Sequence, residues 1–292
     1  MKRKRGQIIL NLVFIIISLC VIVPFVMLVS ISLTSEKEIV ASGYKLIPSK
    51  LDLSAYKYVF SNPHSIINAY KITFIFSATS MILSTLLTAM AAYPLISRSM
   101  LGKKQISFYY YFTMLFSGGM VPTYILITRY LHLDDTILVY ILPALINPWN
   151  IFMMRTFFKD IPSSIVESAY IDGASEYATF FKIILPLSKP VLATIALLVF
   201  LTKWNDWMAS MLYINNQNLI SLQYLLQRIL QNLDVLQSMN SSASTVNMNI
   251  SDIPAESTRM AMAVVVAGPA LLVFPFFQKY FVKGLTVGSV KG

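Results

Sequence analysis

The sequence predicts an all-α integral membrane protein with six transmembrane helices and both termini in the cytoplasm. Three observations lead there. Of its 292 residues 56% are hydrophobic and only 12% are charged, against about 25% charged in soluble globular domains. Apolar stretches of about 20 residues, the length that crosses a hydrocarbon core of roughly 30 Å, recur along the chain between short polar segments. These runs lack the period-2 alternation of barrel strands. Helices, which satisfy their own backbone groups in lipid, are therefore the expected spanning form.

The first span is expected at about 8–33, behind Lys2, Arg3, Lys4 and Arg5. That order of basic then apolar residues resembles a signal peptide. The apolar run is longer than a signal h-region and lacks an obvious small-residue cleavage site, so it reads as a retained helix. Further spans are expected at about 68–97, 107–128, 136–155, 187–210 and 258–281. Pro24, Pro94, Pro122 and Pro143 fall within or at the ends of these runs, where membrane bundles tolerate kinks. Together they form one transmembrane domain over residues 1–292.

The formal net charge of +10 does not point to nucleic acid, because Lys and Arg gather at the ends of apolar blocks and not in one basic stripe. Membrane orientation explains them. The N-terminal cations, then Arg98, Lys103 and Lys104, then Arg155, Lys159, Lys182 and Lys189, and finally Lys279, Lys283 and Lys291 mark the cytoplasmic side. The first external segment, 34–67, also carries four lysines and is the exception to the pattern. The second, 211–257, contains SLQYLLQRILQNLDVLQ, which sets Leu222, Leu225, Leu226, Ile229, Leu230 and Leu233 at helical spacing before a polar loop. Such a helix either lies against the bundle or membrane surface, or presents a platform to an external partner. Cys20 is the single cysteine, so no intrachain disulfide forms. His64 and His132 fall in external loops without a third metal ligand nearby.

A cytoplasmic loop, 156–186, is too polar to span and too patterned for a linker. Its core reads ESAYIDGASEYATFFKIILP from Glu167 to Pro186. Ile165, Val166, Ala169, Ala174, Ala178, Phe180 and Phe181 suggest two short amphipathic helices broken at Gly173, where glycine supplies a turn that a residue with a Cβ resists. Pro162 and Ser163 look like a helix start, and Pro186 and Pro190 mark the approach to the next span.

This segment resembles the EAA loop of permease subunits of ABC importers. The resemblance rests on Glu167, Ser168, Ala169, Asp172, Gly173, Ala174, Ile183, Leu185 and Pro186. The longer pattern, running on through Lys189 and Pro190, is similar to the sugar branch, the maltose-permease-like subunits fed by a binding protein. Ser168 stands where that family usually has Ala. The resemblance implies the type I ABC importer permease fold in a bacterial plasma membrane, and a loop that docks on an ATPase subunit. Ala169 and Ala174 would permit close approach, Glu167 and Asp172 would hydrogen-bond to the partner, and Gly173 would set the angle between the helices. Implied partners are a second, homologous permease chain, two ATPase subunits and an extracytoplasmic solute-binding protein. The segments YKYVF and GLTVGSVKG further resemble a Gram-positive subgroup associated with polysaccharide-derived solutes.

No nucleotide site is expected on this chain itself. GLTVGSVKG lacks the G-x-x-x-x-G-K-[ST] spacing and the following helix, so ATP and Mg²⁺ would be used by the partner ATPase. A carbohydrate path needs inward polar and aromatic groups, and two clusters offer them: Asn147 and Asn150 in NPWN, and Trp204, Asn205, Asp206 and Trp207 in KWNDW. The same residues can instead be interfacial anchors, or a local Lys203–Asp206 pair. An ion-coupled secondary transporter working without an ATPase is the alternative, but mid-span regions carry essentially none of the acids it would use. An intramembrane enzyme would need a catalytic set at membrane depth, which no span supplies.

Overall fold

The computed structural model describes residues 2–97, 100–242 and 254–288. Arg98, Lys291, the end of the C-terminal tail and most of the polar loop that follows the 222–237 stretch lie outside the described residues. Among the described residues every regular element is a helix, and the contacts divide the chain into two units, Met1–Ile66 with Leu225–Pro269, and Ile67–Tyr224 with Ala270–Gly292.

In the first unit the longest element is α1 (Lys2–Ser32), with Pro24 inside it. Residues 7–25 are exposed and almost entirely apolar on every side, as expected of a helix whose surroundings are lipid or another chain. Only its C-terminal end is buried. There Ser30 Oγ donates to the Lys45 carbonyl at 2.8 Å, and Ser32 Oγ lies 2.9 Å from the Tyr56 hydroxyl. These bonds fasten the segment 34–67, which folds as α2 (Glu36–Ser42) and α3 (Ser54–Val59). The Glu36 carboxylate accepts from the Glu256 and Ser257 amides, at 3.1 and 3.2 Å, and so satisfies donors at the start of α15 (Ala255–Gly288). Arg259 completes this end by pairing with both Glu256 and Asp234.

The second unit holds most of α4 (Pro63–Ala92), a 3₁₀ turn at Pro94–Ile96, then α5 (Lys103–Leu115), α6 (Met120–Ile125), α7 (Leu138–Ile141) and α8 (Pro148–Lys159). The loop helices α9 (Ser163–Ile171) and α10 (Glu176–Thr179) follow. After them come α11 (Leu185–Leu187), α12 (Lys189–Trp204) and α13 (Met208–Tyr213), and then the start of α14 (Leu222–Ser242). One face of α4 carries Thr73, Ser77, Ser80, Ser84 and Thr88, all buried, a row of small residues of the kind that lets helix backbones approach closely. The core sits at the other end, where Ala92, Leu95, Ile151, Met154, Phe158, Phe180, Ile184 and Ile195 pack together.

The spans are less regular than six continuous helices. Gln7–Ser32, Pro63–Ile96 and Ala255–Gln278 are long and apolar enough to cross a membrane. Two bent pairs pass only when joined, Lys103–Leu115 with Met120–Tyr130 at 110° and Glu176–Leu187 with Lys189–Trp204 at 79°. The expected span 107–128 is thus broken, at Ser117, Gly118 and Gly119, where Gly119 adopts φ +87°. The stretch expected as span 136–155 is not one helix either. Pro143 lacks an amide proton to continue the ladder, a 3₁₀ turn forms at Leu142–Ala144, and the chain restarts at Pro148 behind the Asn147 cap.

Candidate functional site

The loop between α8 and α12 is a helix, turn and helix closed by its own backbone. Its first helix, α9, begins at Ser163 behind Pro162. At its end the Gly173 amide donates to the Tyr170 carbonyl at 3.0 Å and the Ala174 amide reaches back to the Ala169 carbonyl at 2.9 Å. With Gly173 at φ +79°, this is the paired 5→2 and 6→1 closure of a Schellman motif. A Cβ built on Gly173 would meet nothing within 4 Å. Glycine is required here by the backbone angle and not by crowding. Ser175 then caps the second helix, its Oγ accepting from the Ala178 amide at 3.3 Å. That helix continues as a π-turn over Phe180–Ile184 before α11.

The two faces of this loop differ. Ala169 is only 6% exposed, Ala174 is half-buried, and Phe180 and Ile184 enter the core beside Leu95 and Phe158. Ala169 faces this chain's own interior, where its small size lets the turn fold back. Ile183 and Leu185 are half-buried, whereas Glu167, Ser168, Asp172, Gly173 and Pro186 are exposed. So are Ile171 and Tyr177, at 85% and 78%, two large apolar side chains held on either side of the turn.

A link invisible to local sequence reading ties the loop to α4. Tyr93 donates its hydroxyl to Glu176 Oε2 at 2.9 Å and packs its ring on Phe180 at 5.1 Å. It also hydrogen-bonds Tyr170, whose phenol is pushed up first by burial, with Glu176 adding to the rise. Beneath lies a cavity of about 520 Å³ lined by Tyr93, Phe158, Lys159, Val166, Glu167 and Glu176, among others. Downstream, α10 and α11 meet α12 at 79°, with buried Ser188 at the corner. The turn is thus joined to the C-terminal end of α4, to α8 and to the start of α12 through Tyr93, Phe158, Phe180, Ile184 and Val191.

The polar clusters expected to line a solute path also make bonds within the chain. Asn147 caps α8, its side-chain oxygen accepting from the Trp149 amide at 2.9 Å, while Asn150 is buried. Trp204 is only 2% exposed and stacks on Phe200 at 5.7 Å, with Tyr70 at 6.3 Å. Asp206 pairs with Lys203 at 3.7 Å and caps α13 through the Ala209 amide at 3.0 Å. Lys203 is itself buried and donates to the Tyr140 carbonyl. Asn205 and Trp207 are exposed, and Asn205 Oδ1 accepts from Gln223 at 2.9 Å. Of these residues, Asn147, Asn205 and Trp207 are exposed, as is Trp149 beside Asn147 at 61%.

The family described as "Binding-protein-dependent transport system inner membrane component" matches residues 84–287, which include the whole loop. The chain belongs to this family. It is similar to the "Polygalacturonan/rhamnogalacturonan transport system permease protein YtcP" of Bacillus subtilis, at 39% identity over the full length of both chains. It is also similar to "Protein LplC" of the same organism, at 37% identity over 93% of this chain and 90% of that one. Among solved structures it resembles a chain described as "Crystal structure of a bacterial ABC transporter involved in the import of the acidic polysaccharide alginate". That likeness has a TM-score of 0.79 and 28% identity, and covers 96% of this chain and 98% of the other. The protein is thus a membrane-embedded transport component with the ABC importer permease fold.

Proposed function

We propose that this chain is one of two permease subunits of an ATP-driven importer that takes up a carbohydrate handed over by an extracytoplasmic binding protein. The observation that carries this reading is the Schellman-closed helix pair inside the family-matched region, presenting Ile171 and Tyr177 outward while its other face is locked into the core. In this reading both termini are cytoplasmic and six spans cross the membrane: the three long helices, one crossing from each of the two bent pairs, and the interrupted stretch 136–155 as the sixth. Two ATPase subunits bind ATP and Mg²⁺. Their closure moves the turn at Gly173, and the rigid loop rotates the ends of α4, α8 and α12 so that access alternates between the two sides. The names of the relatives support acidic polysaccharide fragments, such as oligogalacturonides, as the first solutes to test.

The test is gentle extraction of the chain from its native membrane, mass spectrometry of what accompanies it, and uptake by the reconstituted assembly. The expected result is a second permease chain, an ATPase with a phosphate loop, and oligogalacturonide uptake that requires both ATP and the binding protein. A lone chain that moves solute without ATP overturns the reading in favour of an ion-coupled transporter.

A further inference from the structure

A second cavity, of about 470 Å³, lies between α5 and α8 and is lined by Lys103, Lys104, Ser107, Phe108, Tyr111, Phe152 and Arg155. Three cations line it and no carboxylate does. Lys103 donates to the Ser97 carbonyl at 3.3 Å, and Arg155 Nη1 reaches Ser107 Oγ at 3.4 Å. The Arg155 Nε is buried and has no hydrogen-bond partner among the described residues, an arrangement that is costly when nothing supplies the missing acceptor. Beside the cations, Phe108 and Tyr111 are exposed at 66% and 52%, an apolar flank one helical turn along α5. A site that needs oxygen acceptors at one end and apolar contact at the other fits an amphiphile with an anionic head.

We infer that this cavity binds the phosphate headgroup of an anionic phospholipid of the cytoplasmic leaflet. Lys103, Lys104 and Arg155 hold the phosphate, and Phe108, Tyr111 and Phe152 take the start of the acyl chains. Basic pockets between helices at the cytoplasmic face suit such headgroups, and Arg offers a forked pair of donors to phosphate oxygens. The location rests on the proposed orientation, because the cavity shares with the coupling loop the C-terminal half of α8, from Phe152 to Lys159. A lipid held here would sit between α5 and the helix that feeds the loop, and would brace α8 against lateral displacement.

The test uses the full chain purified in a neutral detergent. Its melting temperature is followed while phosphatidylglycerol, phosphatidylcholine or inorganic phosphate is added, for the natural chain and for Lys103→Gln combined with Lys104→Gln. The expected result is a saturable rise with phosphatidylglycerol and none with phosphatidylcholine, the apparent affinity falling roughly tenfold or more in the double variant. An equal rise with phosphatidylcholine, or an unchanged affinity in the variant, overturns the proposal. A rise reproduced by inorganic phosphate alone assigns the cavity to a free anion and overturns the lipid. Because the measurement needs neither ATPase nor solute, failure here leaves the importer reading standing. Failure of the importer reading is seen separately in the uptake experiment.

Discussion

At Gly173 the chain is asked for one backbone conformation, φ +79°, with two amides at 2.9 and 3.0 Å closing the end of α9. Any L-residue with a Cβ pays about 1–2 kcal/mol to occupy that region, and asparagine is penalised least. Since no neighbouring atom blocks a Cβ, the penalty is conformational and should grade with the residue and not with its volume. We expect Gly173→Asn to retain most ATP-dependent uptake, and both Gly173→Ala and Gly173→Val to lower it several-fold with the chain still inserted. Uptake in Gly173→Ala equal to that of the natural chain would show that φ does not govern the site, and uptake rates across the three variants read this directly. Gly173 was legible in the sequence because few residues can serve at such a turn. Asn147, Trp204 and Asp206 were not resolved in the same way, because Asn, Trp and Asp at a helix end suit a cap, an anchor or a sugar contact equally well. Tyr93 lies 83 positions from Glu176, and nothing local to either residue announces the pairing.

At the scale of elements, the places where helices begin and end follow familiar local rules, while their continuity does not. Pro148 behind Asn147, Ser175 before α10 and Gly43 after α2 each punctuate as their chemistry demands. Hydropathy alone runs across Ser117–Gly119 and Pro143 as though the chain were straight, and so it overstates the regularity of two spans. The segment 34–67 shows the opposite bias, being polar in sequence yet ordered by side-chain bonds. Glu38 accepts from the Ser49 amide at 3.3 Å and from Lys45 at 3.2 Å. The hydrogen bond with the Ser49 side chain first, and Lys45 in addition, hold its carboxyl below the ordinary 4.5. A carboxyl depressed by folding contributes order that is fully present above its unfolded pKa and is lost as pH falls through the lower, folded value. Amide exchange across residues 43–52 should therefore be constant from pH 7 down to about pH 5, once corrected for intrinsic rates, and should quicken relative to α12 below about pH 4. Glu38→Gln should exchange faster at pH 7 and lose the acid dependence, and an unaltered acid response in that variant would assign it to another group.

The whole molecule has two kinds of apolar residue in its loop region, and they make opposite demands. Phe158, Phe180 and Ile184 are buried against α4 and α12, so their job is complete within this chain. Ile171 and Tyr177 are exposed although they belong to the same short loop. Leaving two large apolar groups in water on an exposed protrusion forgoes about 1.5–3 kcal/mol each relative to burial, which a partner surface would recover. The two sets should separate cleanly on mutation. Phe158→Ala removes a core side chain and is expected to cost about 3–5 kcal/mol, lowering the melting temperature of the detergent-solubilised chain. Ile171→Asp with Tyr177→Asp is expected to leave that temperature within a degree or two, since surface changes are usually within about 0.5 kcal/mol, yet to abolish retention of the ATPase during purification. If the aspartates melt the chain as Phe158→Ala does, the loop's outer face is part of its own fold. If they leave the ATPase bound, docking lies elsewhere and the force on α4, α8 and α12 must be delivered through another surface.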